Sequence, residues 1–436
     1  MFIKKSNNFA EKKEMEHLLQ FTVGNFRSIK TPITFTLKPY TKVKDNPKSA
    51  VVSQNKTKFL TASSIYGANS SGKTNLIIAM GVMKSFVRNS VRLNDGDELP
   101  NYEPFLLSEE SISKPTLMEV CFLNEKDEHV KYGFEFNRYL IEKEWLFIND
   151  QVLFAREPNG IYIDTDTFGE GVDYEKRTNN NRLFLSLVAQ VGGPISNQIL
   201  KFFIYNMNVI KGTSSEGYEE FTKIMFHEHL DEEKKALDFF KRIKLGFNNI
   251  TTEVRELSIP DYVVPVLNEQ IRKDLEKRKQ IVVHPWHNIY DNQGLVVREI
   301  PFDINEHESE GTRKAFEIAG PIFNTLKRGS VLAIDELDAK MHPLISVEII
   351  KLFTSKETNP NHAQLIFTTH DTNLLSAKLL RRDMIWFTEK NQIEETDLYR
   401  FTQIRLPDGT MPRGDGNIEH NYINGRYGAI PFISPF

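Results

Sequence analysis

The chain has 436 residues, 40% hydrophobic and 26% charged side chains, and a formal net charge of −4. This composition fits a soluble protein of two or three domains, or one large domain with insertions, and gives no whole-chain attraction for nucleic acid, though a local basic groove stays open. Cys121 is the single cysteine, so an intrachain disulfide and a cysteine-rich zinc site are both excluded.

Residues 1–16 mix lysine and glutamate and lack the apolar core of a signal peptide. They read as a mobile leader of a cytoplasmic protein. No apolar run approaches the roughly 18 residues that would span a bilayer, so no membrane contact is expected. From Leu19 to Ile29 apolar and polar residues alternate, and Ile33–Leu37 alternates again, which predicts two strands joined by a turn. Residues 38–58 are polar, contain Pro39 and Pro47, and read as loop.

The next segment carries the strongest signal. Gly67-Ala68-Asn69-Ser70-Ser71-Gly72-Lys73-Thr74 is a complete G-x-x-x-x-G-K-[ST] loop, with a predicted strand before it and a predicted helix after it. Backbone N–H groups of such a loop and of the helix N-terminus wrap the phosphates of ATP or GTP. Lys73 reaches the β/γ-phosphates and Thr74 offers its hydroxyl to Mg²⁺.

Strands are predicted over 116–123, 130–137, 144–148, 151–156 and 161–164, an antiparallel β-subdomain. From Asn181 the apolar period becomes helical, and residues 181–280 read as a helical insertion lobe, with helices over 196–206, 218–227, 231–244 and 268–280. No sustained heptad makes it a long coiled coil. Residues 281–302 return to strand patterns. The domain plan is thus a leader (1–16), the first part of the head with the phosphate loop and β-subdomain (17–180), the lobe (181–280), the second part of the head (281–402) and a C-terminal docking segment (403–436).

The second half supplies the partners of the phosphate loop. Ser330–Ile334 is a continuous apolar run that ends in Asp335-Glu336. A buried parallel strand has this pattern, and ligands bind at its C-terminal edge. Asp335 is placed to hold Mg²⁺ and Glu336 to polarise an attacking water. A second apolar strand, Leu365–Thr368, runs into Thr369-His370, which puts His370 near the γ-phosphate. Upstream, Ser309-Glu310-Gly311 stands at the start of an apolar helix, where either an ordinary N-cap or an anion site is consistent with the residues.

Taken in order, the phosphate loop, Ser-x-Gly, Asp-Glu, Asp338 and Thr-Thr-His resemble an ATP-binding-cassette type of ATPase head. That resemblance implies an α/β head, ATP and Mg²⁺ as cofactors, Ser309 and Gly311 acting on the nucleotide of a second head, and Asp338 as a head-to-head contact. The match is imperfect, since Glu310 and Thr312 replace a glycine and a glutamine. A Q-loop glutamine has no clear place, and Gln190 belongs to the lobe.

The opening Phe21-x-Val-x-Asn-Phe-Arg-Ser-Ile29, with Lys131–Phe136, Glu144-Trp145-Leu146, Phe184-Leu185-Ser186 and Tyr422–Pro431, resembles AAA-family ATPases of the OLD/RecF-like class, nearest to the RloA/AbiL-like kind of abortive-infection systems. It implies an ATP-hydrolysing regulator in phage defence whose heads self-associate and which controls a separately encoded, nuclease-like effector. The alternative is a RecF/SMC-like repair ATPase acting on DNA.

No nuclease activity of its own is expected. The roughly 65 residues after His370 hold no Asp-x-Asp pair. The close histidine pairs His227/His229 and His284/His287 lack evident third and fourth ligands. The lobe and the aromatic C-terminal stretch (Tyr422, Tyr427, Ile430, Phe432, Ile433) are the expected docking surfaces, the stretch binding either the head or a partner.

Overall fold

Each apolar run read as a buried strand lies inside a sheet. In the computed structural model the described residues are 15–54, 56–212, 217–256, 279–376, 379–406, 409–413 and 416–431. The strands in chain order are β1 (His17–Gly24), β2 (Ile33–Thr36), β3 (Val51–Gln54), β4 (Thr57–Leu60), β5 (Ala62–Gly67), β6 (Thr116–Leu123), β7 (His129–Phe136), β8 (Ile141–Ile148) and β9 (Gln151–Glu157). They continue with β10 (Gly160–Ile163), β11 (Met207–Ile210), β12 (Asn249–Glu256), β13 (Lys279–Tyr290), β14 (Val296–Pro301), β15 (Val331–Ile334), β16 (Gln364–Thr368), β17 (Ile385–Lys390) and β18 (Thr396–Arg400). Among the described residues, the helices of eight residues or more are Lys73–Asn89, Pro194–Lys201, Tyr218–His227, Glu232–Arg242, Glu310–Arg328 and Pro343–Thr354.

The fold is α/β. A six-stranded sheet has the order β11-β15-β16-β5-β17-β18, parallel except for the last strand. Its four central strands are almost wholly buried, which explains their unbroken apolar sequence. All parallel strands end on the same edge, so Gly67, Ile210, Ile334 and Thr368 deliver their following loops to one place. A seven-stranded sheet, β10-β9-β8-β7-β6-β1-β2, is antiparallel throughout.

The helix Lys73–Asn89 ties the two sheets together. It follows β5, and its Phe86 ring lies 5.3 Å from Phe134 and 5.1 Å from Phe136 of β7. Both sheets contribute to one apolar core.

Residues 38–58 are not all loop: β3 and β4 pair there as a hairpin. The span 181–280 is not helical throughout. Its helices Tyr218–His227 and Glu232–Arg242 pack on Glu310–Arg328, but β11 belongs to the central sheet and β12 pairs with β13 in a separate three-stranded sheet. Four-residue β11 is too short to show a period against the helical residues before it. Glu16, placed at the end of the leader, is buried. The leader residues 1–14, residues 268–278 of the expected helix, and Phe432 and Ile433 lie outside the described residues.

Pro321 falls inside the helix Glu310–Arg328. Without an N–H it leaves the carbonyl of Glu317 without its partner one turn back. The Thr222 hydroxyl takes that place, donating to Glu317 O at 2.7 Å and accepting the Gly320 N–H at 3.0 Å. The helix therefore continues past the proline and reaches β15.

Candidate functional site

Gly67 closes β5 and Gly72 caps the helix Lys73–Asn89. Gly72 has φ +104°, and a Cβ there would stand 2.1 Å from Thr396 Oγ1. Only glycine fits both the angle and the space. The loop between them is held from behind. Ser71 Oγ lies 2.7 Å from Thr388 Oγ1, and Thr396 Oγ1 donates to Ser71 O at 2.9 Å. Ser28 Oγ lies 2.7 Å from Thr396 Oγ1 and accepts the Asn75 amide at 2.7 Å. The Asn-Phe-Arg-Ser opening is therefore part of the loop's support.

Lys73 is buried, and its ammonium donates to Gly67 O at 2.8 Å and Ala68 O at 2.9 Å. Burial lowers its pKa to about 8, against the opposing pull of Asp335, Glu336 and Asp338. Thr74 Oγ1 donates to Asp335 Oδ1 at 3.2 Å. That oxygen also accepts Thr368 Oγ1 at 2.6 Å, and the Asp335 N–H bonds Ile210 O at 3.0 Å. Glu336 follows with φ +53°, and its N–H meets Thr368 Oγ1 at 2.7 Å. His370 is exposed on the same edge, its N–H 3.4 Å from Asp338 Oδ2. Partial desolvation of its ring and then the Lys73 charge lower its pKa.

The fold thus gathers Gly67–Thr74, Asp335, Glu336, Asp338 and His370 at one sheet edge. Ser309 and Gly311 stand elsewhere. Ser309 Oγ caps its helix, accepting the Thr312 N–H at 3.1 Å. A Cβ on Gly311 would lie 2.8 Å from Lys340 O, so the helix start packs on the loop after Asp338. The crevice beside that helix start, about 200 Å³, is lined by Gly212, Lys340 and helix side chains of both charges, Glu310, Glu317, Arg313 and Lys314, and a Cβ on Gly212 would lie 3.5 Å from Asp335 Oδ2.

Thr74 and Asp335 present a hydroxyl and a carboxylate, hard oxygen donors of the kind Mg²⁺ takes. The strand tip beside Asp335 on its other side carries Lys211 and Gly212, and no glutamine. Gln190 ends the short helix Phe184–Gln190. The four histidines of the close pairs each bond a different side chain: Thr252, Glu233, Glu253 and Glu308. Among the described residues no group of three or more metal-capable side chains forms. Also among them, no helix is long and apolar enough to cross a membrane.

Sequence reasoning missed Ser28, Asn75, Thr368, Thr388 and Thr396. Thr368 stood inside a noted motif, whereas Thr388 and Thr396 carry no local signal.

With this geometry, a family model described as "AAA domain, putative AbiEii toxin, Type IV TA system" matches residues 63–376, more than two thirds of the chain. The chain belongs to this AAA family. The match begins in β5 and runs past His370, so it encloses the whole phosphate-loop, Asp335-Glu336 and His370 set. The chain matches no curated protein.

Among solved structures it is similar to an SMC head bound to the C-terminal winged-helix domain of ScpA, with 12% identity, 89% of this chain and 98% of that chain covered, and a TM-score of 0.41. It is also similar to the recombination mediator RecF-ATPrS of the RecFOR pathway, at 12% identity, 88% and 99% coverage and a TM-score of 0.37. A Pyrococcus furiosus Smc head bound to the C-terminal domain of ScpA matches at 12% identity, 88% and 96% coverage and 0.37.

Proposed function

We propose that this AAA-family chain binds ATP with Mg²⁺ and hydrolyses it. The observation that carries this reading is the meeting of Thr74, Asp335 and Glu336 at the phosphate loop, with Thr368 joining the two acids. Backbone N–H groups of 67–74 receive the phosphates, and Lys73 leaves its two carbonyls for the β/γ-phosphates. Thr74 and Asp335 would hold Mg²⁺, which when bound would neutralise charge on the phosphates. Glu336 accepts the proton of the attacking water, and His370 borders the γ-phosphate. Ser309 and Gly311 serve the nucleotide of a second head and Asp338 makes the head-to-head contact, so turnover follows head association.

The biological role follows the family description and the resemblance to RloA/AbiL-like ATPases. In this reading the chain is a cytoplasmic regulator of anti-phage defence that controls a separately encoded, nuclease-like effector through ATP-dependent association. It cleaves no nucleic acid itself.

Two experiments test the two levels. Glu336→Gln keeps shape and removes the base, so it binds ATP while turnover falls by at least about 100-fold. Near-normal turnover overturns the catalytic assignment. In cells, the chain with its neighbouring gene lowers phage plating, and Lys73→Ala abolishes protection. No protection at any expression level overturns the defence role, and turnover stimulated by DNA favours the RecF/SMC-like alternative.

A further inference from the structure

We infer that Thr368 is a positioning residue that sets the geometry of both acids of the ATPase centre; this rests on the hydrolytic reading above. Thr368 is fully buried at the end of β16, next to the strand carrying the acids. Its Oγ1 lies 2.6 Å from Asp335 Oδ1 and 2.7 Å from the Glu336 nitrogen. The direction of each bond is fixed by chemistry. An ionised carboxylate only accepts and an amide N–H only donates, so the hydroxyl proton points at Asp335 and a lone pair takes the Glu336 N–H.

The main chain completes the grip. Thr368 O accepts the Leu337 N–H at 3.1 Å, so one residue holds three successive residues of the strand exit. Glu336 has the left-handed φ of +53°, a conformation that a non-glycine residue keeps only when its surroundings impose it. The bond to its N–H is one such constraint. Asp335 Oδ1 also accepts Thr74 Oγ1 at 3.2 Å. Were the Thr74 oxygen taken up by a metal ion, Thr368 would remain as the donor to the Asp335 carboxylate.

A buried threonine that merely satisfies its hydroxyl would affect stability alone. A positioning residue affects metal use and the rate. Outer-shell partners of metal ligands typically change affinity or activity by about 10–100-fold. Thr368→Val keeps the volume and removes the hydroxyl, and Thr368→Ser keeps the hydroxyl.

The experiment measures ATP affinity, turnover against Mg²⁺ concentration, and Mn²⁺ affinity of the ADP complex by paramagnetic resonance. Thr368→Val is expected to leave ATP affinity within about threefold, to lower turnover by about tenfold or more, and to raise the Mg²⁺ requirement and the Mn²⁺ dissociation constant by about tenfold. Thr368→Ser restores all three. Unchanged metal affinity in Thr368→Val, or a serine variant as impaired as the valine one, overturns the inference. If the wild-type chain shows no turnover, the hydrolytic reading fails on its own, and the Mn²⁺ comparison still decides the role of Thr368. If Thr368→Val does not fold, Thr368→Cys, of similar size with a weak donor, takes its place under the same criteria.

Discussion

The carboxylate of Glu144 accepts the backbone N–H of Phe184 at 2.7 Å, so a buried acid of β8 caps a helix forty residues downstream. Its other oxygen accepts the Leu185 N–H and the Tyr132 hydroxyl, both at 3.0 Å. Ser186 then bonds Val87 O at 2.7 Å, at the far end of the helix that begins at the phosphate loop. Gly133, between Tyr132 and Phe134, leaves room for Trp145, whose Cζ2 would stand 2.6 Å from a Cβ there. Three scattered sequence segments therefore meet in one buried joint between the antiparallel sheet and the nucleotide-binding helix.

Removing Glu144 should destabilise the chain strongly. Glu144→Ala leaves two helix N–H groups and a tyrosine hydroxyl without an acceptor in the core. The expected loss is about 3 kcal/mol or more, from the unsatisfied groups and the cavity together. Urea denaturation measures it. A loss below about 0.5 kcal/mol would mean that another acceptor takes over the helix start.

Lys73 makes nucleotide binding pH-dependent. Without ligand its pKa is lowered to about 8 by burial. A polyphosphate beside the ammonium favours the charged form and raises that value, so binding takes up a proton around and above pH 8. Affinity should be flat below pH 7 and fall above pH 8, by up to about tenfold per pH unit. Calorimetry in buffers of different ionisation enthalpy reads the proton directly. Lys73→Ala should bind at least about tenfold more weakly and lose this proton uptake. An unaltered pH profile in that variant would assign the linkage to another group.

Much of the head was legible because its chemistry is local. The phosphate loop needs its two spaced glycines, a lysine and a threonine within eight residues, and Val331–Ile334 and Leu365–Phe367 are apolar on both faces because both faces are buried. Tyr218–His227 has the expected bounds because it carries one apolar stripe, with Thr222, Met225 and Phe226 buried. The supports of the site were not legible. Thr388 and Thr396 reach Ser71 only because β17 lies beside β5 and β18 beside β17, a strand order that no local pattern encodes. The same limit applies at the C-terminus. Tyr422 stacks on Phe387 at 5.3 Å, and the Tyr427 carbonyl accepts the Tyr399 hydroxyl at 2.7 Å. These aromatics dock on the head and are not left open for a partner.

Head association is testable by complementation. Ser309 and Gly311 stand at the helix start that packs on Lys340, whereas the phosphate loop follows β5. If they complete the site of a second copy, Lys73→Ala and Ser309→Arg subunits are each inactive but restore one intact site when paired. An equal mixture of freely exchanging two-fold dimers should recover about a quarter of wild-type turnover. No recovery after verified subunit exchange would argue against a site shared between copies, as would full activity in a monomer at assay concentration.

Glu16 should weaken the fold as pH rises through neutrality. It is 2% exposed, with its carboxyl against the Asn206 amide just before β11. Burial raises its pKa from 4.5 to about 8, aided by Glu125 and opposed by Asn206 and Lys201. The folded chain therefore holds a proton that the unfolded chain releases above pH 4.5, and that stabilisation is lost as pH climbs toward 8. His17 acts in the opposite sense. Its buried ring, stacked 4.2 Å from Phe59, has its pKa lowered from 6.5 to about 3, so its contribution grows with pH up to 6.5 and is then constant. The two slopes oppose each other between pH 4.5 and 6.5, and of the two only that of Glu16 remains between 6.5 and 8. One proton over that window corresponds to about 2 kcal/mol. Glu16→Gln, which keeps the size and a hydrogen-bonding head, should remove this decline. Denaturation of both proteins at several pH values between 6.5 and 8 checks it; parallel stability curves would show that Glu16 is ionised in the folded chain.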